Sequence, residues 1–399
     1  MISKRDNFYK KKLENGLTVL FEKRNLPIVS TSASVNYGAA FEPLAKKGIS
    51  HCIEHMMFKG TKKRSQKEIV EEIERKGGII NAFTSEEVTS YWNKLASKFL
   101  DSGLDIASDL ILNPRFDEKE FEKEKKVIIE EIKMHKDVPQ YYVIDKIKEM
   151  LYESPFGASM AGDANSVNSL KIGDLKKLFD EVYTTDSIIL SVVGDVDFED
   201  ICKKAELFPA RKRKILDYQA RKINKEEIEK RKGIDQSHFV LGFHVPCLCD
   251  KRKYDYEVMK AYLLDGMSSV LFQEVREKLG LVYHIKGDFD IGKNYGYAMI
   301  YAGALKENLK KIKEIIIKEI KNIKNIKSAD FGEVKEQLIG MKKIEAEDST
   351  NTMNNLMLEE VGCGAEEYYN YEARINGVKI EDVKNIKIKD FSSFSLVSE

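Results

Sequence analysis

Five consecutive residues, His51-Cys52-Ile53-Glu54-His55, combine the side chains that metal-assisted hydrolysis requires. On a helix, residues four apart lie on the same face, so both imidazoles project together at a separation one metal ion can bridge. Glu54 sits beside them, its carboxylate near the position an open coordination site would occupy. There it can take a proton from a water whose pKa the metal lowers to about 7. The order is HxxEH, the reverse of HExxH, with the same three roles. A histidine pair on a helix is often only a surface or core pair. Histidine is scarce here, however, with six in 399 residues and two of those six inside this window. From typical residue frequencies, the pattern arises by chance in about one unrelated chain of this length per hundred.

Catalytic zinc takes three protein ligands and keeps a fourth position open. The stretch 118–135 reads as a helix and offers Glu122, Glu124, Glu130, Glu131 and His135. Glu124, Glu131 and His135 share one face, at offsets of 7 and 4. Spacing alone does not choose among them, and most acidic residues on such a helix are simply solvated.

These groups need elements to hold them. Asn15-Gly16 beside an apolar run predicts a turn entering a strand, and 29–37 alternates small polar and apolar residues as a half-buried strand does. Ile49, Ile53 and Met56, with Cys52 adjacent, form an apolar stripe that predicts a helix over 46–59, carrying the histidine pair. A second helix, 66–75, stops at Gly77-Gly78. The Thr-, Val- and aromatic-rich stretch 79–92 reads as two strands around Glu86-Glu87. Helices at 96–112 and 118–135 follow, the second closed at or just before Pro139, then helix and loop to 182 and a buried strand at 188–194. Charge dominates 209–232, the expected linker. Beyond it the order recurs: strand 238–243, helices 254–265 and 270–279, strands 282–289 and 297–304, then a long Lys/Ile helix from 307. This repetition predicts an α+β fold of two similar, duplicated halves: an N-terminal domain 1–208 with the HxxEH motif, the linker 209–232, and a C-terminal domain 233–399.

Lys+Arg and Asp+Glu both number 66, for a formal net charge of +0. A nucleic-acid groove needs a basic excess or stripe, whereas the Lys runs here are interleaved with Glu and Ile, as on solvated helix faces. No nucleic-acid partner is expected. No stretch reaches the ~20 apolar residues of a membrane span, and residues 1–12 are charged, without the apolar run of a secretory signal. A soluble, cytoplasmic protein with no membrane partner is therefore expected. The five cysteines include no CxxC pair, and Cys247 and Cys249 are too close to anchor a typical zinc ribbon, so all five are expected as buried or free thiols.

The run Gly48-Ile49-Ser50-His51-Cys52-Ile53-Glu54-His55-Met56-Met57-Phe58-Lys59-Gly60-Thr61 resembles the active-site helix of the M16 metallopeptidases. That family includes insulysin, pitrilysin and the mitochondrial processing peptidase. Glu124-Lys125-Lys126-Val127-Ile128-Ile129-Glu130-Glu131-Ile132 is similar to its second metal segment. The resemblance implies Glu131 as third ligand, Glu124 as a supporting carboxylate that orients a ligand, and no role for His135. Asn81-Ala82-Phe83-Thr84 resembles the family's substrate-lining edge strand, on which an extended peptide adds as a further strand with a pocket near Phe83. By residue type alone, Phe83 would be a core aromatic.

In the second half, Met267-Ser268-Ser269-Val270-Leu271-Phe272-Gln273-Glu274-Val275-Arg276-Glu277-Lys278-Leu279-Gly280-Leu281-Val282-Tyr283 resembles the family's other signature, with Arg276 and Tyr283 at its arginine/tyrosine spacing. Alone, such a pair means nothing. In the family context, Arg can grip a substrate carbonyl or carboxylate and Tyr can donate to a developing oxyanion. Val270 departs from the usual Arg, and Asp265 from a common Gly.

The resemblance spans essentially the whole chain. It implies a short two-domain member, with two α/β-roll halves (antiparallel sheet packed with helices) enclosing part of a peptide chamber. It further implies Zn2+ on His51, His55 and Glu131, Glu54 as base, and a homodimeric zinc metalloendopeptidase acting on unfolded peptides or presequence-like segments. The same ligands suit cobalt or manganese. The alternative is a catalytically silent partner or structural subunit of an M16-type assembly.

Overall fold

Runs of Val, Ile, Thr and aromatic residues form the strands of two sheets. The computed structural model describes residues 2–5, 7–212 and 216–399, the first four through their backbone alone. These residues gather into two units that do not divide at one point of the chain. The first comprises Met1–Ile132, Met160–Tyr218 and Glu345–Tyr368; the second comprises Lys133–Ser159, Gln219–Ile344 and Tyr369–Glu399.

The first unit contains strands β1 (Ile2–Arg5), β2 (Phe8–Lys12), β3 (Thr18–Lys23), β4 (Ile28–Val35), β5 (Ile79–Thr84), β6 (Thr89–Ala96) and β7 (Ile188–Gly194), in the order β1-β2-β3-β7-β4-β6-β5. β3 and β7 run parallel, and the other neighbours run antiparallel. Between β4 and β5 come helices α1 (Ile49–Met57) and α2 (Gln66–Glu74), and after β6 come α3 (Leu100–Leu112) and α4 (Glu118–Asp137). α1 buries Ile49, Cys52, Ile53, Met56 and Met57 in the core that also takes Val29, Ala33 and Val35 of β4. His51, Glu54 and His55 are left half-buried on its other side.

β4 departs from the half-buried expectation, since Val29–Val35 is buried throughout. Its serine-bearing face is covered by the helix Ser349–Gly362, a contact that no local pattern in β4 announces. Ser30 Oγ lies 2.8 Å from Ser349 Oγ, and Ser191 Oγ donates to Met353 O at 3.1 Å.

The second unit contains β8 (Glu226–Arg231), β9 (Ser237–His244), β10 (Val282–Ile291), β11 (Gly296–Ala304) and β12 (Ser392–Ser398). Its sheet order, β8-β12-β9-β11-β10, repeats β3-β7-β4-β6-β5, down to the parallel pair β8/β12 in the place of β3/β7. The fold is thus α+β, with two sheets sharing one five-strand topology. Helix α5 (Pro139–Leu151) packs on the second sheet: a Cβ added to Gly242 would come within 2.6 Å of Ile147. Pro139 opens α5 at the position where a missing N–H costs nothing. Each unit thereby takes one helix from the other half of the chain. The stretch 209–232, expected as a linker, contains β8, and its residues 213–215 lie outside the described residues. The expected helix 270–279 is a π-helix over Phe272–Lys278.

In the first unit Cys52 and Cys202 are buried free thiols and Cys363 is disulfide-bonded; in the second, Cys247 is free and Cys249 is disulfide-bonded. The expectation of five thiols thus fails at Cys249 and Cys363, because pairing depends on distance in space and not along the sequence. Among the described residues, no helix is long and apolar enough to cross a membrane.

The start of α1 fixes the histidine pair. A helix leaves its first N–H groups without partners inside the helix. Glu42, fully buried, accepts from the backbone N–H of Gly48 at 2.8 Å and of Ser50 at 2.7 Å. Burial pushes its carboxyl up, while the Lys47 charge and these bonds pull the other way. Gly48 has φ +92°, and a Cβ there would meet the Ala161 carbonyl oxygen at 2.3 Å. Removing the cap should therefore be costly: Glu42→Ala is expected to lower urea-unfolding stability by about 3 kcal/mol, and Glu42→Gln, which keeps one acceptor, by less.

Candidate active site

His51 and His55, one turn apart on α1, bring their Nε2 atoms to 3.2 Å of each other, with ring planes at 81°. Glu131 of α4 faces both, its carboxylate oxygens 3.8 Å from His51 Nε2 and 3.5 Å from His55 Nε2. One donor atom from each of the three lies within 4.8 Å of the other two, the sole such group among the described residues. Zinc bonds of about 2.1 Å at tetrahedral angles would place ligand atoms about 3.4 Å apart. The three distances, with Oε1 of Glu131 nearer His51 and Oε2 nearer His55, lie near that spacing, so the donor set suits zinc. The candidates that spacing left open now separate. Glu122 pairs with Lys125 at 2.7 Å, His135 lies 3.7 Å from Asp145, and Glu130 is an exposed residue outside the converging group.

Glu124, buried one helical stretch before Glu131, lies 2.9 Å from His55 Nδ1 through one oxygen. Its other oxygen is 2.6 Å from Lys59 Nζ. Burial works against its charge, but the bonds from His55 and Lys59 outweigh this and hold its carboxyl below the usual range. A carboxylate in that place keeps the proton of His55 on Nδ1 and leaves Nε2 free to ligate. Burial would lower the His55 pKa, yet its bonds to Glu124 and Glu131 prevail and, without a metal, raise it to about 9.

Glu54 lies on the same side of α1. Burial raises its carboxyl pKa, opposed by a hydrogen bond from Thr84 and by the His55 charge. The Thr84 hydroxyl donates to Glu54 Oε2 at 2.5 Å. Thr84 closes β5, the edge strand of the first sheet, which pairs with β6 alone. Ala82 faces the core as Thr84 does, and alternation turns Asn81 and Phe83 to the opposite face. The Asn81 side chain is exposed and accepts from the Ala82 N–H at 2.8 Å. Phe83 is half-exposed, away from the core position its residue type would favour.

Arg276 and Tyr283 belong to the second unit, on the π-helix and at the start of β10. The guanidinium stands 4.7 Å from the Phe272 ring centre and 5.7 Å from that of Tyr283, and Tyr283 is 78% exposed.

Three features escaped the sequence reading. Lys59 stands four positions after His55, a helical spacing that could have suggested a shared face. Glu42 sits in a loop with no local signature of a cap. Thr84, expected from the resemblance among the substrate contacts, has its hydroxyl bonded to Glu54.

Residues 18–164 match the family described as Insulinase (Peptidase family M16), and residues 169–338 match the Peptidase M16 inactive domain. The HxxEH sequence lies in the first of these regions. An uncharacterized zinc protease of Rickettsia felis is 32% identical, over 98% of this chain and 97% of that protein. The uncharacterized zinc protease YmxG of Bacillus subtilis is 31% identical, over 86% and 85% respectively. Among solved structures, a protease from Helicobacter pylori superposes with a TM-score of 0.90 at 21% identity, covering 97% of this chain and 98% of that one. An M16-like peptidase from Alicyclobacillus acidocaldarius gives 0.85 at 16%, covering 98% of each chain.

The proton that His55 holds up to about pH 9 must leave when a metal takes Nε2. Zinc uptake near pH 7.5 is therefore expected to release about one proton per ion, read by titration calorimetry as a heat that depends on buffer ionisation enthalpy. Glu131→Gln should weaken binding by ~100-fold or more, since it removes a charged ligand.

Proposed function

The chain belongs to the M16 peptidase family, and from that premise we propose that it is a zinc-dependent endopeptidase cleaving unfolded peptides or presequence-like segments. The observation that carries this reading is the convergence of His51, His55 and Glu131 with the Glu54 carboxylate beside them on α1. Zinc held by those three residues would supply Lewis acidity, polarising a peptide carbonyl and making water acidic enough to ionise near neutral pH. Glu54 is the base: it takes the proton of the attacking water and returns it to the leaving amine. A carboxyl raised by burial suits that exchange, because it binds the proton long enough to pass it on. Glu124 orients His55, with Lys59 holding its second oxygen. The open edge of β5 supports strand addition by an extended peptide, with Asn81, Ala82 and Phe83 alternating along it. For Arg276 and Tyr283 the reading is a grip on substrate, in keeping with an exposed phenol and a guanidinium beside it. We extend it to a homodimer in the cytoplasm, with peptides as partners.

The test is metal content and cleavage of a panel of unstructured peptides, wild type against Glu54→Gln. Both proteins are expected to hold about one zinc per chain, with cleavage in the variant reduced by roughly 1,000-fold or more. Zinc in both with cleavage in neither would favour a catalytically silent subunit. No zinc after reconstitution would overturn the reading.

A further inference from the structure

The geometry points to Thr84 as a positioning residue for the base: its hydroxyl decides which oxygen of Glu54 handles the proton. The inference rests on the role proposed for Glu54. Among the described residues, the Thr84 bond to Oε2 is the hydrogen bond that reaches this carboxylate. A threonine hydroxyl carries one proton, and here it is committed to Oε2. Oε1 is left to take the proton when the water O–H breaks. The transferred proton then sits on Oε1, because the Thr84 bond stabilises negative charge on Oε2, and it leaves Oε1 as the new N–H of the departing amine forms. Replacing the hydroxyl by a methyl frees the carboxylate to turn and to be protonated on either oxygen.

The partners are held rigidly from both sides. Thr84 pairs with Thr89 at the closed end of the β5–β6 hairpin, and Ser85 spans the turn by accepting from Val88 N–H at 3.1 Å. The turn is fastened to the segment before α1: Ala39 N–H donates to Ser85 O at 3.0 Å, and Ala40 N–H to Glu86 O at 2.8 Å. Gly38 permits that approach, since a Cβ there would lie 2.3 Å from Ser85 O. The same segment ends in Glu42, which caps α1. One frame therefore fixes both the strand that bears Thr84 and the helix that bears Glu54. A peptide added along the open edge of β5 lies on the very strand that orients the base.

The experiment compares zinc-loaded full-length wild type, Thr84→Val and Thr84→Ser on one fluorogenic peptide, together with the infrared carboxylate band of Glu54, isolated by subtracting Glu54→Gln. Thr84→Val should keep zinc and KM, lose roughly 10- to 100-fold in kcat, and shift the band. Thr84→Ser, which restores the hydroxyl, should return both to near the wild-type values. Wild-type kcat in Thr84→Val, an equal loss in Thr84→Ser, a change confined to KM, or a band indifferent to the hydroxyl would each overturn the proposal. A wild type that cleaves no peptide would instead overturn the peptidase reading, and the band would still report on Thr84.

Discussion

A helix of nine residues does not persist in water by itself, and α1, which carries His51, Glu54 and His55, is that short. Its geometry is therefore imposed from outside, at three places. Glu42 satisfies the N–H groups at its start. Five apolar side chains bury one face in the core. At its last turn, His55, and just past its end, Lys59, grip the two oxygens of Glu124, which ties α1 to α4 and so to Glu131. Every distance in the candidate metal group depends on this attachment, because His51 and His55 come from one helix and Glu131 from the other. The 20-residue α4 is long enough to serve as the fixed member of the pair.

Patterns with a local physical cause were legible in the sequence. The stripe of Ile49, Ile53 and Met56 places the histidines on the opposite side of a helix, and that is where they lie. Asn15-Gly16 marks a turn whose glycine takes φ +96°. Gly77, at φ +73°, ends α2 as a glycine should. The face of 118–135 was legible too, but the choice between Glu131 and His135 was not. One extra turn moves a side chain about 5.4 Å along the helix axis, which decides whether it meets α1, and helical spacing does not contain that information. The family resemblance implied Glu131, and Glu131 is the one of the two whose carboxylate faces both histidines.

What stayed hidden involves partners distant in sequence. β4 reads as half-buried because nothing in residues 28–35 announces a helix more than 300 positions later. Likewise α5 shows an ordinary amphipathic pattern, and an apolar stripe does not say which sheet it covers. A boundary near residue 209 follows from composition alone. The observed units interleave because Pro139–Leu151 and Ser349–Gly362 each pack on the sheet built by the other half of the chain. The repeat itself was visible as element order, and the matched strand topology gives it a structural basis.

The charges around α1 explain why this cluster suits a divalent cation. Glu54, Glu124 and Glu131 are three carboxylates within a half-buried space, and Lys59 is the ammonium bonded directly to one of them. With both imidazoles neutral, the cluster holds more carboxylates than ammonium groups. Gathering groups of one charge sign in a partly buried space is costly. One available relief is a proton on His55, whose pKa burial would lower but the bonds to Glu124 and Glu131 raise to about 9. A dication held by His51, His55 and Glu131 would offset that excess, and the Lys59–Glu124–His55 chain, which runs through Nδ1 of the ring, would stay in place. A proton and a metal would thus compete for one side of one imidazole, while the opposite side holds the helix in register.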